Sequence, residues 1–321
     1  MPRLLITGGA GFIGFTAVKY ALSNGWTVRV LDNITTGQIT NQVSLEQMGV
    51  EVIVGDVRDE ETVEAAMQNV EAVLHLAAQV SVPLSIKDPE ETYAVNIEGT
   101  KLMLAFAAKN SVSAFIMASS AAVYGDQEDR PLIETTPDMC LSPYAESKLE
   151  NEKQIQNARL DGLNATAFRL FNVYGGGQQP NGAYAAVIPK FIDLMSQGES
   201  PVVYGDGEHT RDFVHVQDVV EAMFLAISMP LELNPFHVYN IGSGKSISLN
   251  ELIGYANASF SKHIQDYSIL RPTYHEERPG DIRYSMASID RIRTALDWSP
   301  SILFEDGIYE QVKTWMGVNK K

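Results

Sequence analysis

The chain reads as an α/β protein, a doubly wound parallel sheet carrying a smaller, discontinuous C-terminal domain. Three observations predict this. Short apolar strands alternate with helical segments through the first half, a rhythm that puts helices on both faces of a parallel sheet. A glycine-rich turn joins the first strand to the first helix, and an acid ends the second strand. Beyond residue 172 the alternation gives way to a Gly/Pro/Gln stretch and scattered short elements.

Taken in order, Arg3-Leu4-Leu5-Ile6-Thr7 is a short apolar strand. It runs into Gly8-Gly9-Ala10-Gly11-Phe12-Ile13-Gly14 and a helical pattern to about residue 24. Gly9, Gly11 and Gly14 satisfy G-x-G-x-x-G, and Gly8, Gly11 and Gly14 a form one residue longer. These glycines permit the tight turn and let a pyrophosphate approach the amides of a helix N-terminus. The bland alternative is a glycine turn with no ligand. A second strand, 27–31, ends at Asp32, where an acid can hydrogen-bond an adenosine ribose. Asp32 would repel a 2′-phosphate, and Asn33-Ile34-Thr35-Thr36 offers no cation to accept one. NAD is thereby favoured over NADP.

Further strands are expected at 50–54, 72–76, 114–119 and 164–170, with helices near 60–69, 92–109 and 144–159. Ligands sit beyond the C-terminal ends of such strands. Found there are the glycine turn, Asp32, Asp56, Leu76-Ala77-Ala78-Gln79 and Ser119-Ser120. The nucleotide domain is expected at 1–171 plus about 212–241. The substrate domain takes about 172–211 and 242–321, with a helix broken by Pro189 and a strand near 202–204.

Tyr144 and Lys148 lie four residues apart on the last helix of the first half, so they share a face. A free tyrosine has a pKa of about 10, and a nearby ammonium favours the phenolate. Such a tyrosine could take a hydroxyl proton near neutral pH. On its own the Tyr/Lys spacing is weak, because it occurs often on exposed helices.

Composition narrows the classes. The 321 residues are 45% hydrophobic and 20% charged, ordinary for a soluble globular protein. No apolar run approaches the ~20 residues needed to span a bilayer. The first strand begins at Arg3, which leaves no room for a signal peptide. Cys140 is the only cysteine, so no intrachain disulfide forms, and a cytoplasmic location is expected. The six histidines show no paired metal-ligand spacing, and His209 and His215 read as structural or solvent-facing. A net charge of −16 argues against nucleic-acid binding.

At this point the residues resemble the extended short-chain dehydrogenase/reductases, with their Rossmann fold. More narrowly, the chain is similar to nucleotide-sugar 4-epimerases of the UDP-glucose and UDP-N-acetylglucosamine type. The motifs are the glycine turn, Gly55-Asp56, His75-Leu76-Ala77-Ala78, Asn96 in Val-Asn-Ile-Glu-Gly-Thr, and Ser119-Ser120-Ala121-Ala122-Val123-Tyr124-Gly125. Tyr144 with Lys148, Phe171-Asn172-Val173-Tyr174-Gly175, Gly205-Asp206-Gly207 leading to Arg211-Asp212-Phe213, and Arg278-Pro279-Gly280-Asp281 follow.

The resemblance implies a role for each matched position. Tyr144 is the acid/base on the sugar O4 and Ser120 its hydrogen-bond partner, while Lys148 binds the nicotinamide ribose and depresses the tyrosine pKa. NAD is expected against Gly8, Gly11, Phe12, Ile13, Gly14, Asp32, Asn33, Asp56, Val57, Leu76, Ala77, Ala78, Asn96, Tyr144, Lys148 and Phe171, with Asp56 on the adenine amino group. A UDP-sugar is expected against Ser120, Tyr144, Asn172, Val187, Tyr204, Arg211, Arg278, Asp281 and Ser285. Two arginines opposing a diphosphate make charge-assisted pairs. The bland alternative pairs Arg211 with Asp212, and Arg278 with Glu276 or Asp281.

The fate of a 4-keto sugar depends on the rest of the cleft. In 4,6-dehydratase relatives an Asp-Glu pair follows the strand-end hydroxyl, where this chain has Ala121 and Ala122. Decarboxylases and uronic-acid epimerases carry an arginine after the Tyr-Gly, where this chain has Gly176-Gly177-Gln178. Both readings weaken, leaving the simple epimerase cycle. The segment 180–189 and Ser285, with Ala185 and Ala186, favour room for a 2-acetamido group; ordinary packing would also explain small residues there. A net NAD-dependent oxidoreductase would not need Arg211 and Arg278. A non-catalytic dinucleotide sensor would not need Ser120, Tyr144 and Lys148. Self-association into a homodimer is expected through 92–109 and 144–159, because Leu102, Met103, Leu104 and Phe106 give the first helix more apolar surface than one sheet contact buries. Cys140 is expected at the site rim with no catalytic role.

Overall fold

Parallel pairing spreads in both directions from β1 (Arg3–Thr7) in this computed structural model, which describes residues 1–35, 39–127, 131–178, 180, 186–277 and 282–318. On one side lie β2 (Thr27–Asp32) and β3 (Glu51–Val54); on the other lie β4 (Ala72–His75), β5 (Ala114–Ser120) and β6 (Ala165–Leu170). The helices of this half are α1 (Phe12–Ser23), α2 (Ile39–Gln47), α3 (Glu60–Met67), α4 (Val82–Lys87), α5 (Pro89–Tyr93), α6 (Gly99–Lys109) and α7 (Pro143–Leu160). Neighbouring residues of β1 face opposite sides. Leu4 and Ile6 pack with Ala17, Val18 and Ala21 of α1, while Leu5 packs with Val63 and Met67 of α3 and Phe106 of α6. Both sides are fully buried, which is why these strands are continuous apolar runs rather than alternating ones.

Several helices differ from expectation. The stretch 92–109 is not one regular helix: α5 ends at Tyr93, a π-helical turn covers Ala94–Glu98, and α6 follows. That turn carries the buried Asn96, whose side chain holds both the backbone N–H and C=O of Gln79. The wider turn sets Asn96 against the end of β4. The second difference is α2, which the sequence does not advertise because only Leu45 on it is buried.

The later chain adds β7 (Asn172–Tyr174), α8 (Val187–Ser196), β8 (Val202–Tyr204), β9 (Thr210–Arg211), β10 (Phe213–His215) and α9 (Val216–Ser228). Next comes β11 (Val238–Ile241), which pairs with β6 and completes a seven-stranded sheet of order β11-β6-β5-β4-β1-β2-β3. α9 packs Val219, Val220 and Met223 into the same core layer as α1. Pro189 does not break its helix; it sits in the first turn of α8, where no intrahelical N–H bond is lost. β12 (Ile247–Ser248), α10 (Leu249–His263), β13 (Thr273–His275), α11 (Asp290–Leu296) and α12 (Phe304–Val318) follow. α8, α10 and α12 share a separate apolar cluster that includes Phe191, Leu252, Phe260, Ile308 and Val312. Among the described residues no helix is long and apolar enough to cross a membrane.

Candidate active site

The glycine turn is built for close approach. A Cβ on Gly14 would lie 2.1 Å from the Gly8 carbonyl oxygen, and one on Gly8, at φ +71°, would lie 2.8 Å from the Ala77 amide. Thr7 causes that proximity: its Oγ accepts from the Leu76 and Ala77 amides, both at 3.1 Å, and pairs with His75 Nδ1 at 2.8 Å. The end of β4 is thus drawn against the turn. α1 opens at Gly11 without a side-chain cap, leaving its first amides for a bound anion.

Asp32 is buried and bridges the turn to the loop after β2. Its carboxylate accepts from the Ala10 amide at 2.9 Å and the Ile34 amide at 2.8 Å. Ile34 sits at φ 56°, a strained conformation for a β-branched residue. Nothing in the local sequence marks that position. Asp56 is already engaged: Arg58 reaches both of its carboxylate oxygens, at 2.9 and 2.7 Å. The guanidinium holds that carboxyl below its ordinary range. Arg58 was not singled out from the sequence, although it lies two residues beyond an expected ligand.

The Tyr144 helix starts where its sequence says it should. Ser142 caps α7 by accepting from the Ala145 amide at 3.2 Å, with Pro143 in the first turn, a strong helix-start pairing. Tyr144 then falls opposite the end of β5. Ser120 accepts from the Ala122 amide at 3.1 Å, and its hydroxyl is the group that favours the Tyr144 phenolate. Lys148 Nζ donates to the Ala118 carbonyl at 2.9 Å and lies 5.9 Å from the Tyr144 ring centroid.

Burial raises the Tyr144 pKa, and the opposing influence is the Ser120 hydrogen bond rather than Lys148. The ammonium donates to the Ala118 carbonyl and lies over the Tyr144 ring. Lys148 itself is pushed down to about 8 by burial, against the attraction of Glu152. His75, buried between Thr7 and Thr100, is held down to about 3 by burial and by the Lys148 charge.

On the far side, β9 brings Arg211 alongside Ile247 of β12, and the neighbouring Thr210 exchanges backbone bonds with Arg283 and Ser285. Arg211 and Ser285 are thus adjacent. The bland alternative, an Arg211–Asp212 pair, is not found among the described residues. Asp212 instead accepts from the Ser243, Gly244 and Ala287 amides, at 2.6, 3.0 and 3.0 Å. That role joins segments far apart in sequence, so no local signal could have revealed it. Asn172 donates to the Asp212 carbonyl at 3.3 Å, and Phe171 is buried at the end of β6. Val187 opens α8, and Tyr204 is exposed on β8. Arg278, Asp281 and Ala185 lie outside the described residues. Cys140 is half-buried, and burial with nearby carboxylates pushes its thiol pKa up.

The chain is similar to known proteins over nearly its whole length. A putative UDP-glucose 4-epimerase of Methanocaldococcus jannaschii is 36% identical over 321 residues, covering 99% of both chains. The structure of a UDP-N-acetylglucosamine 4-epimerase from Methanobrevibacter ruminantium, in complex with UDP-N-acetylmuramic acid, superposes with TM-score 0.90 at 33% identity over 99% of both chains. A Thermotoga maritima UDP-glucose 4-epimerase with UDP-glucose gives 0.89 at 33% identity, again over 99% of both. The model of the NAD dependent epimerase/dehydratase family matches residues 4–242, the span that holds both the glycine cradle and the Tyr144–Lys148 helix. The chain is a member of that family.

Proposed function

We propose that this protein is an NAD-dependent 4-epimerase of UDP-sugars, an isomerase interconverting UDP-GlcNAc with UDP-GalNAc and UDP-Glc with UDP-Gal. The observation that carries the reading is the meeting of Ser120, at the end of β5, with Tyr144 and Lys148, one helical turn apart on α7, whose ammonium is tied to the Ala118 carbonyl of the same strand. The residues present suit NAD: a cradle that any Cβ on Gly14 would fill, uncapped amides at α1, and Asp32 at the ribose position. Held there, the dinucleotide would supply reversible hydride exchange with the sugar C4.

The protein's part is proton handling and positioning. Tyr144 accepts the O4 proton and later gives one back. It takes that proton as the phenolate, a form that burial opposes by raising the pKa and that Ser120 favours. Lys148 spends one N–H on Ala118, which leaves two donors for a ribose. Arg211, with Arg278, would face the diphosphate. Residues 1–171 and 212–241 would serve the nucleotide, and 172–211 and 242–321 the sugar.

Ala121 and Ala122 occupy the turn after Ser120, so the neighbouring acids that eliminate water are missing. Gly176 and Gly177 are exposed and offer no cation to a C6 carboxylate. Chromatography of products from UDP-Glc, UDP-Gal, UDP-GlcNAc, UDP-GalNAc and UDP-glucuronate tests the assignment. We expect 4-epimers without net NADH; dehydrated or decarboxylated products, or net reduction, would overturn it. Ser285→Tyr is expected to abolish turnover of the acetylated pair and spare the plain hexoses, whereas equal loss on both would remove the argument from space.

A homodimer and a cytoplasmic location complete the reading. The apolar surplus expected on residues 102–106 is not at the surface, since Met103, Leu104 and Phe106 are buried within the chain. What supports pairing is a groove of about 770 Å³ between α6 and α7, bordered by Ile97, Ala105, Ala108, Ala158 and Leu163. Light scattering at micromolar concentration is expected to give twice the chain mass.

A further inference from the structure

We propose that Glu152 is the positioning residue of this site: clamped by Arg169 and Ser119, its carboxylate fixes α7 against the end of β5 and faces Lys148 as its counter-charge. The inference rests on the epimerase reading for its consequence, but not for its geometry.

Tyr144, Lys148 and Glu152 follow one another at four-residue steps along one stripe of α7. Glu152 is 4% exposed, and a carboxylate is seldom left so deep without partners. Its Oε1 accepts from Ser119 Oγ at 2.5 Å and Arg169 Nε at 2.9 Å, and its Oε2 from Arg169 Nη2 at 2.7 Å. Arg169 lies on β6 directly across from Ser119 in the sheet register. It also donates to Asp138 at 3.1 Å, in the segment leading into α7. One carboxylate therefore ties together β5, β6 and α7. Ser119 precedes Ser120, and successive strand residues face opposite ways. Anchoring Ser119 to α7 thus fixes the end of β5 from which Ser120 meets Tyr144.

The charge has its own effect. The groups around Lys148 are Tyr144 and Glu152 on its own helix and His75 from β4, with Arg169 of β6, paired to Asp138, beyond Glu152. His75 is neutral near pH 7, with its pKa at about 3. Glu152 is the influence that raises the Lys148 pKa against burial. Removing it while Arg169 stays would favour the neutral amine.

The test uses the full chain with ¹³C-labelled lysine Cε, the Lys148 signal being assigned by its loss in Lys148→Arg. In the parent the signal should titrate near pH 8, and the pH–rate profile should fall over the same range. Glu152→Gln should lower both midpoints by a unit or more and reduce kcat at pH 7.5 about tenfold, with KM within about twofold. Glu152→Asp should recover part of the shift. If Glu152→Gln does not fold, Glu152→Leu with Arg169→Met removes both charges together, a replacement buried pairs often tolerate, and should also lower the Lys148 midpoint. Either folded variant titrating with the parent would overturn the proposal. Absence of epimerase activity in the parent would sink the functional reading alone, because the lysine titration still decides this one.

Discussion

Gly14→Ala sets two physical effects against each other. Gly14 lies within α1, where alanine is ordinarily about 1 kcal/mol better than glycine. Helix propensity alone therefore predicts a stabilised protein. The structure predicts the reverse. The new methyl carbon would stand 2.1 Å from the Gly8 carbonyl oxygen and 2.8 Å from the Gly9 Cα, whereas ordinary contact begins at 3.4 Å. Both obstacles are backbone, so no rotamer relieves the clash, and the turn must open by roughly 1 Å or more. Overpacking of this kind costs about 1–3 kcal/mol, enough to cancel the propensity gain. The carbonyl that must move belongs to the turn feeding the first amides of α1, so dinucleotide affinity should fall at least tenfold. Urea unfolding of dinucleotide-stripped protein and a fluorescence titration with NAD read the two effects separately. A variant with unchanged affinity and an equal or higher midpoint would refute the steric account of the cradle.

Other consequences concern protons. Ser120→Ala removes the influence that lowers the Tyr144 pKa, so the rising limb of the pH–rate profile should move to higher pH, with activity at pH 7 down at least tenfold; an unshifted limb would separate Ser120 from the phenol. His75 has a folded pKa of about 3 against 6.5 unfolded. The unfolded chain thus binds the extra proton between those values, and stability falls as pH drops from 6.5 toward 3. The full shift corresponds to about 5 kcal/mol. His75→Gln should flatten that slope by one proton in acid denaturation, and an unchanged slope would place the acid sensitivity elsewhere.

The features legible in the sequence are those whose cause is local. Gly8, Gly11 and Gly14 announce a close approach, and the four-residue step sets Tyr144 and Lys148 on one face. Buried apolar runs such as Leu4 to Ile6 announce a sheet covered on both sides. What could not be read is long-range. Asp212 holds amides 31 to 75 residues away, and the Asn96 turn depends on contacts with Gln79 and Ser147. The strain at Ile34 exists because Asp32 secures the Ala10 and Ile34 amides together. Glu152 lies between these extremes. Its helical face was readable, but its partners on β5 and β6 were not.

Epimerisation through Tyr144 predicts a specific fate for one hydrogen. A UDP-sugar carrying deuterium at C4, turned over in ordinary water and read by mass spectrometry and NMR, should give the 4-epimer with the label still at C4. Tyr144→Phe should leave the starting sugar essentially unconverted. Loss of the label to solvent during turnover, or full activity in Tyr144→Phe, would contradict the account.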